Sequence, residues 1–334
     1  MRHLAHRRSI GFGLLLAILL PTLALSLAVG ANPIPLAEVW PTIVEPDGSE
    51  AAIVIWTLRV PRTVVAIIAG AAFGVAGALI QAVTRNPLAD PGILGVNAGA
   101  GFAVTIGVGF FGIGSISGYM WFAFIGAALS TVAVYLIGTS GRGTGSPVTL
   151  VLAGVALGAV LTGLTTFLTL IDEHTFRAVR NWGLGSLART SLDETVKVLP
   201  FLALGLILAL IIASALNTVA LGEDLAASLG ANVIRTRAFA IIAVTLLAGG
   251  ATALTGGIGF VGLMVPHLVR WFTGPDQRWI IAYSTLGGAL VVVLADVLGR
   301  VIVRPGEIEV GVLTAVIGAP VLIAVVRRSR VSSL

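Results

Sequence analysis

No cysteine occurs anywhere in the chain, which excludes disulfides, thiolate metal sites and iron–sulfur clusters. Lysine occurs once, at Lys197, in a context unlike a phosphate-binding loop. A Walker A motif needs a lysine behind a glycine run, so no ATPase site is encoded. The four histidines (His3, His6, His174 and His267) are dispersed. No metal cluster and no nucleophile–base pair can be read from them, and the chain does not read as an enzyme. Charge is the scarcest property of all. Only 10% of residues are charged, against about a quarter in soluble domains.

What is present is apolar. The chain is 57% hydrophobic and carries 42 glycines, the profile of an all-α polytopic membrane protein, read here as one transmembrane domain over 1–334. The net charge of +5 does not point to nucleic acid, because the arginines lie scattered at span ends rather than massed on one face. The N-terminus has a basic head, an apolar run over 10–31 and a small-residue end, as signal peptides do. That run is too long for a signal core, so it reads as a retained first helix.

Windows of roughly 20 apolar residues predict about ten helices, at 10–31, 63–83, 93–113, 119–138, 148–170, 197–216, 238–256, 260–273, 279–300 and 310–327. The eighth is short, and Pro266 is expected to break or tilt it. The polar turn over 85–92, bracketed by Pro87 and Pro91, is expected on one membrane face, because lipid cannot satisfy its backbone groups. Placing the basic head in the cytoplasm gives that side twelve basic and four acidic residues, against eight and eleven on the other. This satisfies the positive-inside rule and puts both termini in the cytoplasm. The stretches 59–170 and 235–328 carry a weak inverted echo, through the similar starts RTVVAIIAG and RAFAIIAV, as transporters often do.

Several motifs have both a structural and a functional reading. Gly70, Gly74, Gly77 and Gln81 share one helix face and favour close helix packing. Gly154, Gly158, Thr162, Thr166 and Thr169 form a stripe on the fifth span, fit for lining a polar passage or for packing with threonines bonded to their own backbone. The run Gly257-Ile258-Gly259-Phe260-Val261-Gly262 matches a dinucleotide fingerprint but lies between spans, without the strand that motif requires. Glu223 and Asp224 favour a helix start, and Gly230 a left-handed stop. The intervening Leu225, Ala226, Ala227, Ser228 and Leu229 then form a short cytoplasmic helix, either a connection or a docking element. Arg59, Arg62, Arg300 and Arg304 stand on the outward side, where they can meet headgroups, an anionic substrate or an acidic partner. Asp296, the sole acid placed within a span, is expected to pair with Arg300 one turn on. Ion-coupled carriers usually need buried ionisable groups near the membrane centre. Their scarcity argues against the alternative class, an ion-coupled secondary carrier.

Taken together, RVPR at 59–62, NPLADPGILG at 86–95, LAGVALG at 152–158, GSL at 185–187, GIGFVGLMVPHLVR at 257–270, GPDQR at 274–278 and GAPV at 318–321 resemble the FecCD-type permease subunits of ATP-driven importers for iron–siderophore complexes, haem and cobalamin. The resemblance implies a type II ABC importer permease fold in the cytoplasmic (inner) membrane. It also implies a dimer of two permease copies or paralogues among membrane lipid. ABC ATPase subunits would carry ATP and Mg, with no cofactor on this chain, and an extracytoplasmic solute-binding protein would dock outside. By the same resemblance Arg59, Arg62 and Arg300 meet that binding protein, and the 221–230 segment couples to the ATPase. Ser146, Pro147 and Thr149 lie near a cytoplasmic gate, below the glycine–threonine stripe that lines the pathway. Two positions depart from the family pattern: Glu309 replaces a frequent proline, and Gln277 a frequent histidine. Ferric siderophore is the expected cargo, with haem or cobalamin the alternative.

Overall fold

The computed structural model describes residues 2–30, 33–140 and 147–329. The chain opens with α1 (Arg2–Ala28) and a nine-residue α2 (Leu36–Val44). It then enters α3 (Glu50–Thr84), around which the rest packs. Alanine and glycine dominate α3 below Arg59, so neighbours approach its backbone directly. A Cβ on Gly70 would meet the Gly288 carbonyl, one on Gly74 the Ser284 carbonyl, and one on Gly77 the backbone of Gly262. The packing reading of this stripe is the correct one. Near its start α3 widens into a π-helical turn over Ile55–Arg59, a distortion often found at functional sites.

The remaining elements are α4 (Val96–Phe111), α5 (Ile116–Thr139), α6 (Pro147–Ile171), α7 (Glu173–Gly183), α8 (Leu192–Val219), α9 (Glu223–Ser228), α10 (Val233–Thr255), α11 (Val261–Thr273), α12 (Gln277–Ile302) and α13 (Val310–Ser329). No strand occurs among the described residues. Seven helices are long and apolar enough to cross a membrane, and two shorter apolar ones lie at Val96–Phe111 and Val310–Ala324. With α11, each of the ten expected spans has its helix. Two short helices were not expected from the apolar windows, α2 and α7. The Asp172 side chain caps α7, accepting from the Thr175 amide at 2.8 Å and its hydroxyl at 2.5 Å. These bonds hold the Asp172 carboxyl below its ordinary pKa.

Pins along α12 set the direction of the bundle. Arg8 donates to the Thr273 carbonyl at 2.9 Å and lies 3.5 Å from Asp276, whereas Ser26 meets Arg300 at the other end. Therefore α1 runs parallel to α12 and α3 antiparallel to both. The N-terminus, the 85–95 turn, α9 and the start of α12 share one end, called here the N-terminal face; Arg59 and Arg300 mark the far face.

Two expectations change here. Helix α11 runs unbroken through Pro266. It is short because it starts inside the bundle, beside Gly77. That point is seven residues from Thr84, or about 10 Å from the N-terminal face. The 85–95 turn is likewise not wholly at the surface. Arg85, Asn86 and Pro87 are exposed, but Ala89, Pro91 and Leu94 are buried. Pro91 abuts Gly262, and the Ile93 carbonyl abuts Gly154. Such backbone is tolerated at depth because protein satisfies it. Gln81 Nε2 donates to the carbonyls of Ala89 (3.3 Å), Gly262 (3.2 Å) and Leu263 (3.1 Å), and its Oε1 accepts from Arg270. Asp90 Oδ1 takes the Gly92 amide at 2.8 Å, and Ser130 donates to the Gly95 carbonyl at 2.9 Å.

Candidate functional site

Three regions carry the residues singled out from the sequence. The first is at the far face, where α1 ends with carbonyls that no helical amide can reach. Two other helices, α3 and α12, supply donors. Arg59 Nη1 donates to the Leu27 carbonyl at 2.5 Å. Arg300 Nη1 donates to the carbonyls of Ser26 (2.8 Å) and Val29 (2.9 Å), and its Nη2 to Ser26 Oγ (3.0 Å) and Asp296. Ser26 Oγ also shares a 2.7 Å hydrogen bond with Thr63 Oγ1. A cation at a helix C-terminus is electrostatically favourable as well. Arg62 completes the cluster, with Nε 2.7 Å from Asp296 Oδ1 and Nη1 2.7 Å from Glu307 Oε2.

The Asp296–Arg300 pair therefore forms as expected. All three arginines gather at the far face, but they differ in burial. Arg59 is 5% exposed and Arg300 2%, because the bare carbonyls of α1 draw them in. Asp296 is wholly buried between Arg62 and Arg300. Only Arg62 reaches the rim, beside Glu307, on a cleft of about 360 Å³ that Thr57, Leu187, Arg59 and Arg300 also line. Arg304 is exposed. Sequence reasoning missed Glu307 and Ser26, since nothing local marks either as a partner of residues over 200 positions away.

The second region is α9 on the N-terminal face. Gly222 (φ 111°) and Gly230 (φ 81°) bracket it in backbone conformations that a side chain would strain. The Gly230 amide bonds the Ala227 carbonyl at 2.9 Å and the Ala231 amide that of Ala226 at 2.9 Å, which is the Schellman stop. Asp224 lies in the first turn, and its carbonyl accepts from Ser228 Oγ at 2.8 Å. Ala226 is buried against the bundle, while Leu225 and Leu229, with Leu221 before them, are largely exposed. The expected short helix thus exists and offers three leucines to its surroundings.

The third region is α6, which stands largely clear of the bundle. Only 17% of its most apolar window is buried, and Val148, Leu152, Val155, Val160, Phe167 and Leu170 are exposed. Pro147 opens it, and Ser146 lies outside the described residues. Thr149 Oγ1 donates to the Gly138 carbonyl at 3.0 Å, and Gly154 seats the Ile93 carbonyl. Further along, Gly158 is half-buried and Thr162 exposed. Thr166 donates to the Thr162 carbonyl at 2.9 Å, and Thr169 to those of Thr165 and Thr166, each at 2.9 Å. Thr166 and Thr169 thus satisfy their hydroxyls along their own helix.

The departures also find places. Glu309 pairs with Arg189 at 3.5 Å, and Gln277 is buried at the start of α12, its amide bonded to Asn217 Oδ1 at 2.8 Å. Of the 257–262 glycines, Gly257 and Gly262 sit at tight inter-helix contacts, whereas nothing lies within 4 Å of a Cβ at Gly259. Gly257 touches Gly185 and Gly311, and Gly262 touches Pro91 and Phe73. Among the described residues no strand, and so no βαβ unit, accompanies them.

Known proteins resemble this chain over nearly its whole length. The chain is 46% identical over 318 residues to the ferric enterobactin transport system permease protein of Escherichia coli (strain K12), covering 95% of this chain and 94% of that one. It is 37% identical over 314 residues to a siderophore transport system permease protein of Bacillus subtilis (strain 168), covering 94% of each. Its fold is similar to the inward-facing conformation of an ABC transporter described as of metal-chelate type. The TM-score is 0.83 and the identity 27%, over 96% of this chain and 99% of that one. Residues 16–328 match the FecCD transport family, and the chain belongs to that family.

Proposed function

We propose that this chain is the membrane-spanning permease subunit of an ATP-driven importer, carrying ferric siderophore into the cytoplasm by alternating access. The observation that carries this reading is the rigidly capped α9, with Leu221, Leu225 and Leu229 exposed on the face that the charge count assigns to the cytoplasm. A chain without a nucleotide site needs its energy delivered, and a short apolar-faced helix is a surface through which a separate ATPase can deliver it. The exposed length of α6 supports pairing with a second permease copy or paralogue, the cargo passing between them. The far-face cluster supports docking of a solute-binding protein through an acidic residue at Arg62, with Arg59 and Arg300 holding the end of α1 beneath it. Similarity to a ferric enterobactin permease makes a ferric siderophore the favoured cargo.

Uptake of radioiron by cells lacking the chain, complemented or not, tests the reading across several siderophores. Loss of one siderophore's uptake, reproduced with a hydrolysis-dead ATPase partner, is the expected result. Uptake that survives the dead ATPase overturns the ATP-driven mechanism, and unchanged uptake of every siderophore overturns the cargo. A second expectation concerns α9. Leu225→Asp with Leu229→Asp leaves the permease folded, because both positions face out, but lowers ATPase co-purification by about tenfold, as loss of central apolar anchors does. Undiminished co-purification would remove α9 from the coupling role.

A further inference from the structure

We propose that Glu307 is an internal stand-in for a partner's carboxylate. It holds the outward edge of Arg62 while the far face is empty, and an acidic side chain of the docking protein displaces it. This rests on the docking reading above.

The guanidinium of Arg62 has two engaged edges of different character. Its Nε meets Asp296, which is 0% exposed and shared with Arg300. Neither solvent nor a partner can reach that carboxylate, so the pair is fixed. Its Nη1 meets Glu307, whose side chain is 37% exposed on the rim of the cleft. Among the described residues Arg62 is the one ion-pair partner of Glu307. An exposed pair of this kind is worth little on its own, and a second carboxylate can replace the first at the same planar fork with little net change.

The surrounding backbone shows how small the motion is. The next residue, Ile308, is pinned by its amide to the Gly299 carbonyl at 3.0 Å, and Glu309 is tied to Arg189. The loop therefore stays in place, and rotation of one side chain releases Arg62. Arg62 and Arg300 share Asp296, so turning Glu307 away leaves a surplus positive charge at the mouth of the cleft. That is the site an acidic protein side chain fits. Until one arrives, Glu307 keeps the Nη1 edge of Arg62 from standing half-buried without an acceptor.

The test measures binding of the solute-binding protein that supports uptake through this permease, loaded with ferric siderophore. The permease is reconstituted in nanodiscs with its ATPase. Arg62→Gln is expected to weaken binding about tenfold, and Glu307→Gln to tighten it about threefold. In the Arg62→Gln background, Glu307→Gln should have no further effect. Unchanged or weaker binding by Glu307→Gln, with Arg62→Gln still damaging, overturns the stand-in and leaves the docking reading intact. Tightening that persists without Arg62 overturns it too, because Glu307 would then merely repel an acidic partner. Normal binding by Arg62→Gln overturns both. An unchanged melting temperature for Glu307→Gln, expected at so exposed a position, ties the result to docking rather than folding.

Discussion

Gly77→Val is expected to leave almost no folded permease in the membrane, the largest effect of any single substitution considered for this chain. A Cβ at position 77 would fall on the Cα, carbonyl carbon and oxygen of Gly262. Those are backbone atoms at the start of α11, with no flexible side chain to yield. Valine would force α3 and α11 apart where Pro91 also packs against Gly262, and would stretch the bonds from Gln81 to the carbonyls of Gly262 and Leu263. Overpacking combined with broken buried hydrogen bonds belongs to the rare class that costs over about 4 kcal/mol. Gly163→Val in α6 is the control, since nothing lies within 4 Å of a Cβ there, and it should express normally. Monodisperse yield on size exclusion and thermal melting in detergent check both. A well-folded Gly77→Val protein would mean that α11 can withdraw from α3 without loss of the bundle.

Gly77 also marks how far the sequence could be read. The ten apolar windows found their helices, because length and hydropathy are properties of each segment alone. The Gly70, Gly74 and Gly77 face, the Gly230 stop and the Asp296–Arg300 pair were legible for the same reason: each is written within one helix or one turn. What could not be read depends on distant partners. The 85–95 turn looks like a surface loop until Gln81, Ser130 and Gly262 are seen to satisfy and enclose its inner half. The burial of Arg59 and Arg300 cannot be read until the bare carbonyls of Ser26, Leu27 and Val29 are seen to need donors. The helices α2 and α7 escaped because both mix apolar with polar residues and neither is long enough to register as a span.

Asp296→Ala is expected to lower the melting temperature by on the order of 10 °C, in contrast to Glu307→Gln a few ångströms away. Both residues bond Arg62, but only Asp296 is fully buried, and it alone also holds Arg300. Removing it leaves Arg300, at 2% exposure, with no carboxylate partner where water cannot replace one. Breaking a buried ion pair from one side costs about 3–5 kcal/mol. Asp296→Asn should be nearly as damaging, because the shape survives and the charge does not. The double substitution Asp296→Leu with Arg300→Leu separates two origins of the loss. If uncompensated charge dominates, removing both partners restores most of the melting temperature, as apolar replacement of buried pairs often does. If the role of Arg300 in capping α1 dominates, the double variant stays unstable, because the Ser26 and Val29 carbonyls lose their donor whatever becomes of Asp296. The geometry favours partial recovery, since Arg59 still reaches the Leu27 carbonyl but no second donor replaces Arg300 at Ser26. Full recovery would show that the arginine cluster is chiefly an ion-pair device, and no recovery that it is chiefly the cap that holds the end of α1.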